Sequence, residues 1–283
     1  MKKNLFTLLT DPFPIFFIKT AVNLGKEVYL NEVSPGLSFD FEKVKTPKEI
    51  ELVCFTHNET STGVSLNLAK IKRFIVKGES TLFALDIVSS APYVKVDFSF
   101  FDLVFFSVQK CFGLPSGLGV LIVGPRAFEK AEFLYKKVRN FKSYHDFMNL
   151  EKYSLLDQTP ETPNVLNLYL LGKIVEDMRK KGITNIRRET EIKAKLIYEY
   201  YLESKYLKPA VVKDEDRSRT VCVANINIDS VDLLSILKKD GFVIGGGYKE
   251  MKSKQMRIAN FPATSATDMK NLIKSMKLGF NRI

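Results

Sequence analysis

Two histidines and three cysteines are all the imidazole and thiol side chains in 283 residues, and this scarcity excludes several functions at once. His57 and His145 are far apart, and Cys54, Cys111 and Cys222 are equally scattered. No pair has the spacing of a zinc site. An odd number of widely spaced cysteines within apolar stretches reads as reduced core residues rather than disulfides. No apolar run approaches the roughly 20 residues needed to span a membrane as a helix. Residues 13–18 are too short and too broken by proline to form the core of a secretory leader, although Asn58-Glu59-Thr60 spells a glycosylation sequon. The chain is therefore expected in the cytoplasm. Internal repeats and low-complexity segments are also missing.

What is present is an ordinary globular composition with a basic surplus. Apolar residues make up 45%, enough for a large core in one large or two smaller domains. The net charge is +11, from 43 basic and 32 acidic residues. A nucleic-acid partner is not expected, because the lysines alternate with acids, as across 180–195, and no basic stripe with interleaved aromatics stands out. A cationic field of this kind would help to capture anionic substrates.

Apolar strand-like runs at 4–10, 52–56, 82–88, 103–108 and 118–123 alternate with helix-like segments at 65–76 and 126–138. That alternation predicts an α/β fold with a mostly parallel sheet, helices on its faces and right-handed crossovers. Segments 166–181 and 185–202 have helical periodicity, the first closing at Gly182. Beyond them, 220–228 alternates as a strand, and 230–240 reads as a helix with Ser230 as its cap and Gly241 as its stop. A short strand at 256–261 and a helix at 267–278 complete a smaller C-terminal α+β domain. The expected division is a large, partial cofactor-binding domain over 1–183 and a small domain over 184–283. Two prolines within 11–17 predict a turn there. Gly245-Gly246-Gly247 lacks the strand–loop–helix context of a phosphate loop and reads as a flexible turn.

The chemistry concentrates at three strand ends. Ser107-Val108-Gln109-Lys110-Cys111-Phe112-Gly113 sets a lysine between two apolar runs, where desolvation would make its amine usable. Upstream, Asp86 stands inside the apolar run that leads into Ser89-Ser90; a buried aspartate is costly unless a cation faces it. Before that, Cys54-Phe55-Thr56-His57-Asn58-Glu59-Thr60-Ser61-Thr62-Gly63 is a strand running into hydrogen-bonding side chains, the place where α/β sheets put ligands. His57 reads as a strand-end histidine hydrogen-bonded to backbone rather than as a catalytic base.

In this order, His-Asn-Glu-Thr-Ser-Thr-Gly, then Asp with Ser-Ser, then Ser-x-Gln-Lys-x-x-Gly resembles the class V aminotransferases, pyridoxal-phosphate enzymes of fold type I. Asn58-Glu59-Thr60, Gln109-Lys110 and Gln255-Met256-Arg257-Ile258 are most similar to the phosphoserine aminotransferase branch. The similarity runs from about residue 5 to the C-terminus. It implies pyridoxal 5'-phosphate as cofactor, with Lys110 as the Schiff-base lysine and proton shuttle, and Asp86 as the partner of the pyridine nitrogen. It further implies Thr60 and Gln109 beside the cofactor, Thr162 on the phosphate of a neighbouring subunit, and Arg257 on the substrate α-carboxylate. A homodimer with shared active sites follows from the Thr162 role.

The implied reaction transfers the amino group of glutamate to a keto acid, with 3-phosphohydroxypyruvate as the leading candidate, giving phosphoserine for serine biosynthesis. The alternatives are another class V activity of the alanine–glyoxylate type, or a truncated, inactive remnant serving as a dimerising or interaction protein. A desulfurase is disfavoured because no exposed, loop-borne cysteine is evident.

Two departures accompany the resemblance. Glu161 stands where the family usually has asparagine, and an acid beside a phosphate is unfavourable. The family's N-terminal segment, with its phosphate-cradling helix terminus and basic residues for the substrate's phosphate, has no counterpart before residue 5. Losing roughly three charge-assisted hydrogen bonds would weaken cofactor binding by about 4.5–9 kcal/mol, and would expose apolar surface on the large domain. Weak binding and slow turnover are thus expected unless a segment such as 10–17 substitutes.

Overall fold

The computed structural model describes residues 4–9, 15–44, 47, 49–74, 78–138 and 143–282. Two sheets organise it, each with its own core.

The first sheet contains β1 (Asn4–Leu9), β2 (Glu27–Glu32), β3 (Ile50–Thr56), β4 (Leu82–Asp86), β5 (Leu103–Ser107) and β6 (Gly119–Val123), in the order β2-β1-β3-β4-β5-β6. β1 to β5 run parallel, with Thr56, Asp86 and Phe105 side by side across β3, β4 and β5. One face is a phenylalanine-rich core in which Phe55 meets Phe83 edge-on at 5.4 Å and Phe101 at 6.0 Å, the geometry that ring quadrupoles favour. The other face carries Leu5, Cys54 and Ala84, packed by α1 (Ile15–Asn23). α2 (Leu68–Phe74), α3 (Pro125–Val138), α4 (Phe147–Ser154) and α5 (Val165–Lys181) follow their strands, and Gly182 closes α5 at φ +84.

Two expectations change here. β6 is antiparallel to β5, so the run at 118–123 is not reached by a crossover. The eleven residues between Ser107 and Gly119 are too few for a parallel return of a dozen or more, and Val108 N–H donating to Leu118 O extends the hairpin instead. The turn expected at 11–17 is corrected over its described part: residues 15–17 open α1, whose Phe17 packs on Phe105 at 5.7 Å. Pro14 directly precedes the first helical residue, a place where a missing N–H costs little. Residues 10–14 lie outside those described.

The second sheet, β7 (Leu207–Pro209), β8 (Val221–Ile226), β10 (Gln255–Ala259) and β9 (Gly245–Gly246) in that order, is antiparallel. α6 (Ile183–Glu203), α7 (Ser230–Lys239) and α8 (Ala266–Phe280) pack on it through Tyr201, Leu207, Leu233, Met256 and Met276. Asp229, not Ser230, caps α7 by accepting the Val231 N–H at 2.8 Å. Ser230 has the same capping chemistry, so composition alone misplaces the boundary by one. Among the described residues no helix is long and apolar enough to cross a membrane.

Backbone hydrogen bonds join the two sheets: Ser218 N–H to Gly63 O and Ser65 N–H to Asp216 O, both at 2.8 Å. Gly63 has φ +77, and a Cβ there would sit 2.7 Å from Val223 Cγ2. Both strain and overlap oppose a side chain, so Gly63→Ala is expected to cost about 2–4 kcal/mol of stability. Denaturant unfolding measures it, and a change within experimental error would show that the junction yields.

Candidate active site

Three neighbouring parallel strands end along one edge, and their exits carry the chemically distinctive residues. Past β3, Asn58 Nδ2 donates to Ser89 Oγ at 2.8 Å and Ser89 Oγ donates to Asn58 O at 3.0 Å, which ties the β3 exit to the β4 exit. His57 Nδ1 lies 2.8 Å from Ser90 Oγ, and its Nε2 lies 3.5 Å from Ser65 Oγ. Its ring partners are thus hydroxyls rather than backbone. Burial pushes the imidazole down to about 4, because the cation would be desolvated. The unfolded chain takes up a proton near pH 6.5 that the native imidazole refuses, so this group's contribution to stability is lost as pH falls from about 6.5 to about 4. Titration of the His57 ring by NMR should show it neutral down to about pH 4, and a midpoint near 6.5 would contradict its enclosure.

Asp86 is the last residue of β4 and shares a sheet face with Ala84. Its Oδ1 accepts the Val88 N–H at 2.8 Å. Among the described residues no cation pairs with it. Burial raises its carboxyl to about 6, against the lowering effect of the Val88 N–H.

Lys110 lies in the β5–β6 connection, where Gly113 N–H donates to Lys110 O at 3.0 Å and Gly113 takes φ +67. The lysine is half-buried rather than enclosed between two strands, because β6 is largely exposed. Among the described residues its amine makes no hydrogen bond or ion pair. Gln109 is exposed beside it. Cys111 is buried, and desolvation raises its thiol, as it does for Cys54 and Cys222, each pushed up to about 12. All three are free and buried, as their apolar settings predict; Cys111 lies in the turn rather than in a strand.

Arg257 of β10 reaches toward this edge. Its Nε donates to Gly246 O at 2.6 Å, its Nη1 lies 3.4 Å from Thr60 O, and its guanidinium lies over the Tyr248 ring at 3.9 Å. The three glycines beside it form no loose turn. A Cβ on Gly245 would meet Arg257 Nη2 at 3.1 Å, on Gly246 Lys252 O at 2.7 Å, and on Gly247 Met251 O at 2.1 Å. Glycine is what lets β9 lie against the arginine. Tyr248 escaped the sequence reading, although an aromatic shortly before an arginine on a short strand was a usable signal.

Thr162 stands apart within the protomer. It is exposed, in the loop before α5, and Asn164 in that loop caps α5 by accepting the Asn167 N–H at 3.1 Å. The start of α5 touches the Lys110 connection, because Asn167 Nδ2 donates to Pro115 O at 3.2 Å. Glu161 is exposed with it, beside Lys152 and Asp146 in an open groove. Among the described residues no cluster of histidine, cysteine and carboxylate could hold a metal.

The family model described as aminotransferase class-V matches residues 23–264. A curated phosphoserine aminotransferase from Rhodococcus opacus is 29% identical over 238 residues, covering 83% of this chain and 62% of that protein. The chain thus spans about 62% of the length of that relative. The crystal structure of a phosphoserine aminotransferase from Cytophaga hutchinsonii superposes with a TM-score of 0.94 at 40% identity, covering 98% of this chain and 77% of that one. An alanine–glyoxylate aminotransferase from Nostoc shares the fold at a TM-score of 0.84 and 20% identity, over 99% of this chain and 75% of its own.

Proposed function

The chain belongs to the class V aminotransferase family, and from that premise we propose that it holds pyridoxal 5'-phosphate between Asp86 and Lys110 and moves an amino group between an amino acid and a keto acid. One observation carries this: a half-buried carboxylate and a half-buried lysine amine, neither with an ion-pair partner among the described residues, leave adjacent strands at the same sheet edge. The donor set fits the cofactor, since a protonated pyridine nitrogen is the missing cation and a primary amine is the group that links to its aldehyde. When bound, the cofactor supplies an electron sink for the charge left on the substrate α-carbon.

The chain's own residues do the rest. Asp86 would hold the protonated ring nitrogen, and Lys110 Nζ would carry the proton taken from the substrate α-carbon. Gly246 O and the Tyr248 ring hold Arg257 flat, and its outer N–H groups would donate to the two oxygens of the substrate α-carboxylate, a match for a planar fork. Thr60 and Gln109 would flank the cofactor. The division into a cofactor-binding part, 1–183, and a smaller part, 184–283, belongs to the same reading, as does residence in the cytoplasm.

Glutamate with 3-phosphohydroxypyruvate is the substrate pair this reading favours, supported by the 40% identity to the Cytophaga enzyme. With cofactor added, glutamate and 3-phosphohydroxypyruvate should yield 2-oxoglutarate and phosphoserine. Preferential turnover of alanine with glyoxylate would move the chain to the alternative class V activity.

Thr162 takes part through a two-fold dimer, in which it reaches the cofactor phosphate of the other subunit. Support comes from the apolar side chains exposed around it, with Leu155 81%, Val165 64%, Leu166 64% and Tyr169 62% exposed in one protomer; patches of this kind mark protein interfaces. Sedimentation of the active protein should give a dimer, and an active monomer would remove Thr162 from the site.

A further inference from the structure

Lys193 is the least expected charge in the molecule. It lies in α6, 2% exposed, and its ammonium donates to Phe261 O at 2.9 Å and Thr264 O at 2.7 Å. One helical turn earlier, Thr190 O accepts from Asn260 Nδ2 at 2.9 Å. The helix therefore holds both ends of the 260–264 loop, which begins directly after the strand carrying Arg257. On its other side this loop meets the Lys110 turn: Ala263 Cβ lies 3.7 Å from where a Cβ on Gly113 would be. A mainly apolar cavity of about 170 Å3 between them is lined by Cys111, Phe112, Met178, Pro262 and Ala263.

We propose that Lys193 is a positioning residue, which clamps the 260–264 loop onto the Lys110 turn and so fixes the strand of Arg257 relative to Lys110. A buried ammonium is costly unless its protons are taken, and here the acceptors are main-chain carbonyls of one loop. Burial accordingly pushes this lysine below its ordinary range. Both acceptors belong to one loop, so removing the ammonium leaves two carbonyls of that loop without their donor, and the cost falls there. The effect of removing it is local. The importance given to the Lys110–Arg257 spacing rests on the proposed function, but the clamp itself does not.

Hydrogen exchange separates the two. In Lys193→Met, with and without pyridoxal phosphate, the amides of Thr264 on the loop and of Gly113 and Leu114 on the Lys110 turn should exchange about tenfold faster, the loss expected when a charge-assisted bond is removed. The rest of the chain should be unchanged. Lys193→Arg, which restores a cationic donor to the two carbonyls, should return both segments toward the parent rate. Acceleration confined to the loop, acceleration spread evenly over the chain, or a failure of Lys193→Arg to rescue would each overturn the clamp. Should Lys193→Met not fold, Lys193→Gln keeps one amide donor and gives the same comparison.

Discussion

Replacing Lys110 with alanine is expected to eliminate transamination while leaving the fold intact. The proton transfer alone is worth about 100- to 10,000-fold, and loss of the covalent attachment adds to it. The one buried lysine described above is not equipped to substitute. Lys193 is committed to two carbonyls, whereas the Lys110 amine has no partner among the described residues. The side chain is half-buried and lies in a connection rather than in a strand, so truncation removes no core packing and unfolding midpoints should hardly move. Half-reaction kinetics with glutamate would record the loss, together with disappearance of the visible absorbance of lysine-bound cofactor. Retained kinetics would assign the chemistry to a different amine.

Asp86→Asn is expected to act in opposite directions on stability and on activity. Its carboxyl is raised from 3.8 to about 6 by burial, so between those values the native chain holds a proton that the unfolded chain has released. Stability contributed at this position therefore falls as pH rises through the window, and the penalty is complete above about pH 6. Two units at about 1.4 kcal/mol each put it at up to about 3 kcal/mol. An amide keeps an acceptor for the Val88 N–H and avoids the charge. Without cofactor, Asp86→Asn should then be more stable than the parent at pH 8, by up to that amount, with the difference vanishing near pH 4. With cofactor the order reverses, because a neutral amide cannot hold the pyridine nitrogen protonated, and α-proton loss from glutamate should slow by about 100-fold or more. Denaturant unfolding at the two pH values and half-reaction kinetics test the pair. Equal stability at pH 8 or unchanged kinetics would remove Asp86 from the site.

Much of the framework was legible because burial leaves a mark on sequence. The runs that became β3 and β4 are apolar on both faces and end abruptly in polar residues, which is how a central parallel strand reads. Helical periodicity located α5, α6 and α8 to within a few residues. Strand direction left no such mark: the run of β6 looks like any other strand, and only the length of its connection to β5 shows that it must return antiparallel. α1 was hidden because two prolines argue for a turn until they are seen to stand before a helix. Asp86, Lys110 and the Asn58 cluster could be singled out as charges or hydrogen-bonding groups at the ends of apolar runs. Gln109, Thr60, Thr162 and Arg257 owed their selection to the family resemblance, and of these Thr162 is not joined to the others within one protomer. Lys193 could not have been picked out. It lies in a stretch where lysines alternate with acids, and only the three-dimensional path of the 260–264 loop distinguishes it from its solvated neighbours.

The central claim is that this chain uses Asp86 and Lys110 to hold pyridoxal phosphate. Incubating the purified protein with the cofactor, reducing with borohydride and mapping the modified peptide tests it most directly. The account predicts a single labelled site, Lys110, with labelling diminished in Asp86→Asn. Absence of a reducible adduct at saturating cofactor, or a label on a different lysine, would contradict it, and the former result would favour a chain that acts through its surfaces alone.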